Sequence, residues 1–270
     1  MSHWYIRGPD GPTRYIQLTK DGKPRQWIDR ERAIADGACE GVTSILRRLG
    51  DPNGLIQWAV DIAIDAGIWA AGSSVAKEDV RDLAVQYYHE VADSASEQGK
   101  QIHDAIESAI QGGPEPADEL MRTARKEVMQ WLARNLPDAA PWKSEHCVIY
   151  EGPLYSSNIY YGGTVDLVSS RALVDWKTVG ATRGKYRPPK ATECAQVAAY
   201  RLASAAAGLC RPEAAVYNVY LARDTGKIVR VIRWSENALE IGLRMLRIAY
   251  DSQLYEDAIE QEIKANENKP

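Results

Sequence analysis

The segment GGTVDLVSSRALVDWKT, residues 162–178, consists of two apolar runs of period two around a polar Ser-Ser-Arg turn, the pattern of a β-hairpin. Residues two apart in a strand share a face. Asp175 and Lys177 therefore point one way and Val174 and Trp176 the other, while Thr164, Asp166 and Val168 lie together, opposite Val165 and Leu167. A two-residue or four-residue loop centred on Ser170 and Arg171 makes partner numbers sum to 341, which sets Asp166 directly across from Asp175 with Cβ atoms ~4.5–5.5 Å apart. A loop of odd length turns Asp166 to the other face.

Like charges at that spacing repel, so the pair is costly unless a cation sits between them. A hard divalent ion fits: Mg²⁺ is commonly held by one or two carboxylates plus water and phosphate. Such an ion polarises a phosphodiester oxygen and lowers the pKa of a bound water, and Lys177 on the same face would orient that water or stabilise developing negative charge. The plainer alternative is an exposed strand face with a weak Asp175–Lys177 surface pair.

Outward from the hairpin, KSEHCVIYEG upstream reads as a further strand, and a helix is expected over 191–207, then strands AAVYNVYLA and KIVRVIRW around a DTG turn, then a long C-terminal helix. Helical spacing fills 53–135, in LIQWAVDIAIDAGIWAAG, VRDLAVQYYHEVADSASEQGKQIHDAIESAI and ADELMRTARKEVMQWLARNL. The N-terminus, with WYIR, RYIQL and RQWI between turn signals, reads as a small antiparallel meander appended at 1–40. The class is mixed α/β with antiparallel strand neighbours. In the helix after the hairpin, Gln196 and Tyr200 share a face. The intervening KTVGATRGKYRPPK carries five basic residues and no acid. With Tyr186 among Arg183, Lys185 and Arg187, it has the make-up of a segment tracking a phosphate backbone. His103, one turn after Gly99, borders the Ile102, Ile106, Ile110 stripe; an imidazole beside two carboxylates suits Mn²⁺ or Mg²⁺.

Composition limits the alternatives. The 270 residues are 45% hydrophobic and 26% charged, which excludes a disordered or fibrous chain. No run of ~18 apolar residues occurs, so no membrane span is expected, and MSHWYIRGPDGP lacks the features of a signal peptide, so the expected location is the cytoplasm. The 33 basic and 37 acidic residues nearly cancel, and the acidic excess lies in the last 20 residues, so no global basic field announces a nucleic-acid partner. Cys39, Cys147, Cys194 and Cys210 form no C-x-x-C pair and read as reduced packing residues.

Together, GKQIH at 99–103, GGTVDLV at 162–168, VDWKT at 174–178 and QVAAY at 196–200 resemble the RecB-type branch of the PD-(D/E)XK nuclease superfamily, which includes CRISPR-associated, mitochondrial genome maintenance and phage exonucleases. GVTSIL at 41–46 and Trp58 add a similar upstream element. The resemblance implies a restriction-endonuclease-like α-βββ-α-β core at 140–235 within a nuclease domain at 41–270. It implies metal binding by His103, Asp166, Asp175 and the Trp176 carbonyl, catalysis by Lys177, positioning by Gln196 and Tyr200, and approach of the DNA strand at Thr43 and Ser44. Glu145 matches a family acidic residue only loosely. Relatives that hold an iron-sulfur cluster carry three cysteines after the Gln-x-x-x-Tyr helix; here only Cys210 follows, so no cluster is expected.

The expected activity is a Mg²⁺- or Mn²⁺-dependent deoxyribonuclease, chiefly an exonuclease on single-stranded or end-containing DNA in recombination, repair or replication, in a bacterial or phage-infected cell and with a protein of those processes as a candidate partner. An endonuclease of the same fold and a non-cutting DNA-binding or recombination accessory module are the alternatives. No G-x-x-x-x-G-K-[ST] helicase motif occurs.

Overall fold

The computed structural model describes residues 3–25, 27–50, 79–182 and 184–267, with positions 60, 63, 64, 67 and 68 between them. WYIRGPDGPTR folds as a tight hairpin of β1 (Trp4–Gly8) and β2 (Gly11–Arg14). Gly11 closes it at φ 117°, a conformation side chains with a Cβ disfavour. Of RYIQL only Arg14 lies in a strand, with an isolated antiparallel bridge from Leu18 to Pro24 beyond it, and the described residues of RQWI form no strand. Buried Gln17 spends its side-chain amide on both main-chain groups of Asp29, at 2.7 and 2.8 Å, which ties that segment down without a ladder. Asp29 also caps α1 (Arg30–Ala35), and the third strand is β3 (Cys39–Glu40), antiparallel to β1. The short α2 (Val42–Leu46) follows.

The expected helix at 55–72 lies largely outside the described residues. The next two form as the periodicity requires. α3 (Val80–Ile110) buries Ile102 and Ile106. α4 (Glu119–Asn135), capped by Asp118 on the Met121 N–H, buries Met121, Ala124, Val128 and Leu132 at helical spacing. Then come β4 (Lys143–Leu154), β5 (Ser157–Val168) and β6 (Ala172–Val179). A small hairpin of β7 (Ala181–Thr182) and β8 (Lys185–Tyr186) precedes α5 (Ala191–Ala206), β9 (Ala215–Ala222), β10 (Ile228–Arg233) and α6 (Glu236–Glu267).

The central sheet has the order β10-β9-β6-β5-β4. It departs from the expected antiparallel neighbours at one place: β6 and β9 are parallel. Residues 180–214, with α5, are long enough to carry the chain back across the sheet, and parallel pairing requires such a crossover. One face of the sheet packs α2, α5 and α6 around Tyr161, Val165, Val168, Leu173 and Val216. The other packs α3 and α4 on Leu167, Val174, Trp176, Val219 and Leu221, with the Trp131 ring edge-on to Trp176 at 6.3 Å. Each such aliphatic or aromatic side chain contributes ~1.5–3 kcal/mol on burial.

Two adjacent glycines let separate elements reach β5. A Cβ on Gly163 would stand 2.3 Å from the Tyr200 ring of α5, and one on Gly162 would stand 2.5 Å from Tyr5 of β1. The N-terminal sheet is thereby seated on the central one, where Tyr5 packs with Cys39 and Ile149 and its hydroxyl bonds Thr164 Oγ1 at 3.2 Å. The shelf formed by Gly162 and Gly163 thus brings α5 close to the strand that carries Asp166.

Candidate metal centre

The β5–β6 turn has the register that the hairpin sequence predicts: Ser169 N–H bonds the Ala172 carbonyl at 2.8 Å, and Leu167 pairs with Val174 and Val168 with Leu173, each summing to 341. The ladder then stops. Hydrogen-bonded pairs alternate in antiparallel strands, so the next rung falls at Val165 and Trp176. There the Trp176 N–H is instead donated to Asp166 Oδ2 at 2.8 Å, so that a side chain replaces the main-chain carbonyl.

A second irregularity lies on the opposite neighbour. Pairing of β4 with β5 runs through Ser144–Leu167 and His146–Val165, which brackets Glu145 against Asp166. Glu145 has φ 46°, a left-handed conformation that costs a non-glycine residue on the order of 1 kcal/mol. At this point the strand alternation breaks. Val165 packs in the cluster beneath α5 and α6, whereas Leu167 packs in the cluster beneath α3 and α4. The expectation that Val165 and Leu167 share a face, opposite Asp166, is therefore incorrect. Asp166 sits where the strand changes faces, accessible to groups from both helical layers.

α3 brings the nitrogen ligand. Gly99 lets the helix approach β6 closely, since a Cβ there would stand 2.9 Å from Thr178 Oγ1. One turn on, His103 Nδ1 is 3.7 Å from Asp166 Oδ2. Ligand atoms of His103, Glu145 and Asp166 all lie within 4.8 Å of one another. Burial pushes the Asp166 carboxyl up from its usual range, and the Asp175 charge adds to this. Glu145 is pushed up to about 7 by burial and by Asp166. Burial pushes His103 down against the opposing pull of Asp175, so its imidazole is neutral and can ligate. The cluster thus holds more negative potential than it satisfies internally, and its two carboxylates and one imidazole are a donor set suited to Mn²⁺ or Mg²⁺.

Asp175 is 1% exposed, and its Oδ2 accepts from Lys177 Nζ at 2.7 Å and from Asn218 Nδ2 at 2.8 Å. Lys177 also donates to Gln196 Oε1 at 3.0 Å, and Gln196 Nε2 donates to Tyr200 Oη at 3.0 Å. Burial works to discharge Lys177, but Asp175 and Asp166 outweigh it and hold its pKa above the usual lysine value. The spacing of Gln196 and Tyr200 on α5 thus produces one continuous chain, Tyr200–Gln196–Lys177–Asp175–Asn218. Trp234 Nε1 extends it, donating to Asn218 Oδ1 at 2.7 Å.

The remaining candidate residues are dispersed. Ser44 is buried and its Oγ accepts the His3 N–H at 3.2 Å, so it anchors the N-terminal strand; Thr43 beside it is partly exposed. Lys185 is exposed. Arg187 is not free: it pairs with Glu193 and lies over the Tyr220 ring, 6.0 Å from its centroid. Arg183 lies outside the described residues. Trp176 is fixed by its N–H as described.

Sequence reasoning left Asn218 and Trp234 unassigned and gave Glu145 only a loose place. Asn218 could have been found, because an amide in the middle of the apolar run AVYNVYLA has to find a buried partner. Glu145 follows once Tyr155 and Ser156 are taken as a two-residue turn, which makes β4 and β5 partners sum to 311.

Among the described residues no helix is long and apolar enough to cross a membrane. No protein-family model matches the chain, and no curated protein matches it. Among solved structures, a protein from Eubacterium rectale provisionally described as an exonuclease overlays on 56% of this chain and 64% of its own, with a TM-score of 0.37 and 13% identity. A second, SSO0001, overlays on 47% of this chain and 55% of its own, with a TM-score of 0.29 and 15% identity. The chain thus spans less than two thirds of either protein, and at these scores the reading of the site rests on its own geometry.

Proposed function

We propose that the chain is a metal-dependent deoxyribonuclease of the RecB type, hydrolysing DNA phosphodiester bonds as an exonuclease on single-stranded or end-containing DNA. One observation carries this reading: the ligand atoms of His103, Glu145 and Asp166 converge within 4.8 Å, near a partly buried Lys177 ion-paired with Asp175. His103, Glu145 and Asp166 would hold the ion, and the sequence resemblance adds Asp175 and the Trp176 carbonyl as further ligands in this proposal. A divalent ion there supplies Lewis-acid polarisation of a phosphodiester oxygen and a bound water of lowered pKa.

The protein's own groups do the rest. The Lys177 ammonium is fixed between Asp175 and Gln196 and would meet the negative charge that develops on the phosphorus oxygens without reorganisation. Tyr200 holds Gln196, and Asn218 holds Asp175, so the lysine is positioned from two sides. In this reading the nuclease domain runs from 41 to 270 around a core at 140–235. Its setting is recombination, repair or replication in a bacterial or phage-infected cytoplasm.

The test is degradation of end-labelled linear DNA with Mg²⁺ or Mn²⁺, compared with EDTA. Metal-dependent loss of label that is abolished in Lys177→Ala is expected, and full activity in that variant overturns the mechanism. A closed circular substrate separates the two nuclease classes, because only an endonuclease cuts it.

A further inference from the structure

Near the ends of the parallel strands β6 and β9, Arg223 lies close to Arg187, whose carbonyl accepts from Arg230 and whose own guanidinium pairs with Glu193. Arg223 follows β9 directly, and its N–H bonds the Val179 carbonyl at the end of β6 at 3.0 Å. Its side chain lies against Gly180, where a Cβ would stand 2.6 Å from Nη2. Arg230 donates to the Arg187 carbonyl at 3.1 Å. Glu193 is committed to Arg187, to the Lys190 N–H and to the Tyr220 hydroxyl.

Among the described residues neither Arg223 nor Arg230 forms an ion pair, and the buried Arg223 Nε has no hydrogen-bond partner. Burial and the nearby Arg187 charge both act against the Arg223 cation. A buried N–H left unmade is costly, and so is a cation beside another cation. An oxyanion at the Nη edge of the Arg223 guanidinium neutralises the excess charge through charge-assisted hydrogen bonds of the kind by which arginine binds phosphate. Gly180, just past the end of β6, is three residues from Lys177, about 10 Å at ~3.3 Å per residue. An anion held there is distinct from one that reaches His103 and Asp166.

We propose that Arg223, with Arg230 and Arg187 beside it, forms a phosphate-binding subsite that takes a backbone phosphate of the nucleic-acid strand next to the one being cut. The assignment to nucleic acid rests on the nuclease reading; the anion site does not.

The two parts are tested separately. In metal-free protein, inorganic phosphate is titrated against chloride at equal ionic strength and the melting temperature is followed. The wild type is expected to show a saturable rise of about 2–4 °C, Arg223→Gln to lose most of it, and Arg171→Gln, at the exposed far tip of the β5–β6 hairpin, to keep it. An Arg223→Gln protein that responds like wild type overturns the site. Should that variant not fold, Arg230→Gln is expected to weaken the response, and an unchanged response there overturns it equally. Binding of a labelled single-stranded oligonucleotide in Ca²⁺ is then measured across salt concentrations. Arg223→Gln is expected to bind several-fold more weakly, with the log–log salt slope reduced by about 0.7. If the phosphate response is lost in the variant but the DNA slope is unchanged, the nucleic-acid assignment is overturned. Absence of cleavage by the wild type bears on the nuclease reading alone.

Discussion

Asn218, on β9, donates its side-chain N–H to Asp175 Oδ2 at 2.8 Å, and the two residues are direct partners in the parallel β6–β9 register. Asn218 is fully buried and its carbonyl is taken by Trp234, so both ends of one amide are used to hold a single carboxylate oxygen.

Asn218→Ala should therefore destabilise the metal-free protein by about 2 kcal/mol, because the Trp234 N–H and Asp175 each lose a partner inside the structure. Urea denaturation measures this. A loss within error of zero would show that the amide holds nothing in place.

Lys177→Ala separates chemistry from metal binding. Removing a cation beside three carboxylates leaves the field at the ion more negative, so Mn²⁺ binding measured by calorimetry should stay equal or tighten by a few-fold. DNA cleavage should fall at least ~100-fold, within the range for losing a preorganised charge stabiliser. Parallel loss of both would mean that the lysine supports the fold of the site rather than the reaction.

The raised carboxyls make stability depend on pH in a definite sense. Glu145, at about 7, and Asp166, also raised, keep a proton in the folded chain at pH values where the unfolded chain has lost it, near ~4. The folded state then binds more protons, so unfolding free energy falls as pH rises from about 4 to beyond 7. Metal-free protein should melt about 5 °C lower at pH 8 than at pH 5.5, and saturating Mn²⁺ should remove the difference. A flat or rising profile without metal would contradict the assigned burial of these groups.

Gly163→Ala places a methyl 2.3 Å from the Tyr200 ring. Overpacking of this kind costs ~1–3 kcal/mol, and the ring can relieve it only by moving the hydroxyl away from Gln196. The variant should lose both thermal stability and cleavage rate, while Gly208→Ala, a left-handed position with open space around it, should lose stability alone.

The central hairpin was legible because its apolar alternation and its Ser170–Arg171 turn are both local, and they correctly fix Leu167 against Val174. Helical periodicity likewise gave α3 to α6, and with α3 the place of His103 one turn beyond Gly99. Composition could not show that Gln17 would satisfy Asp29 in place of a strand ladder, nor that β9 would lie parallel to β6, because both depend on partners far along the chain. Alternation also misled at Asp166, since a rule of period two has no means of anticipating a left-handed Glu145 on the neighbouring strand.

By itself the sequence determined the mixed α/β class, the helices and hairpins, and the set of acid, lysine and amide side chains from which a site could be made. Only the tertiary structure decided that Glu145 joins His103 and Asp166, that Asn218 and Trp234 hold Asp175, and that Arg187 is spent on Glu193 while, among the described residues, Arg223 forms no ion pair. The physical reason is one of range. Secondary structure follows from dihedral preference and the spacing of apolar residues, whereas a carboxylate's partners are set by which strands become neighbours and where their ladder breaks.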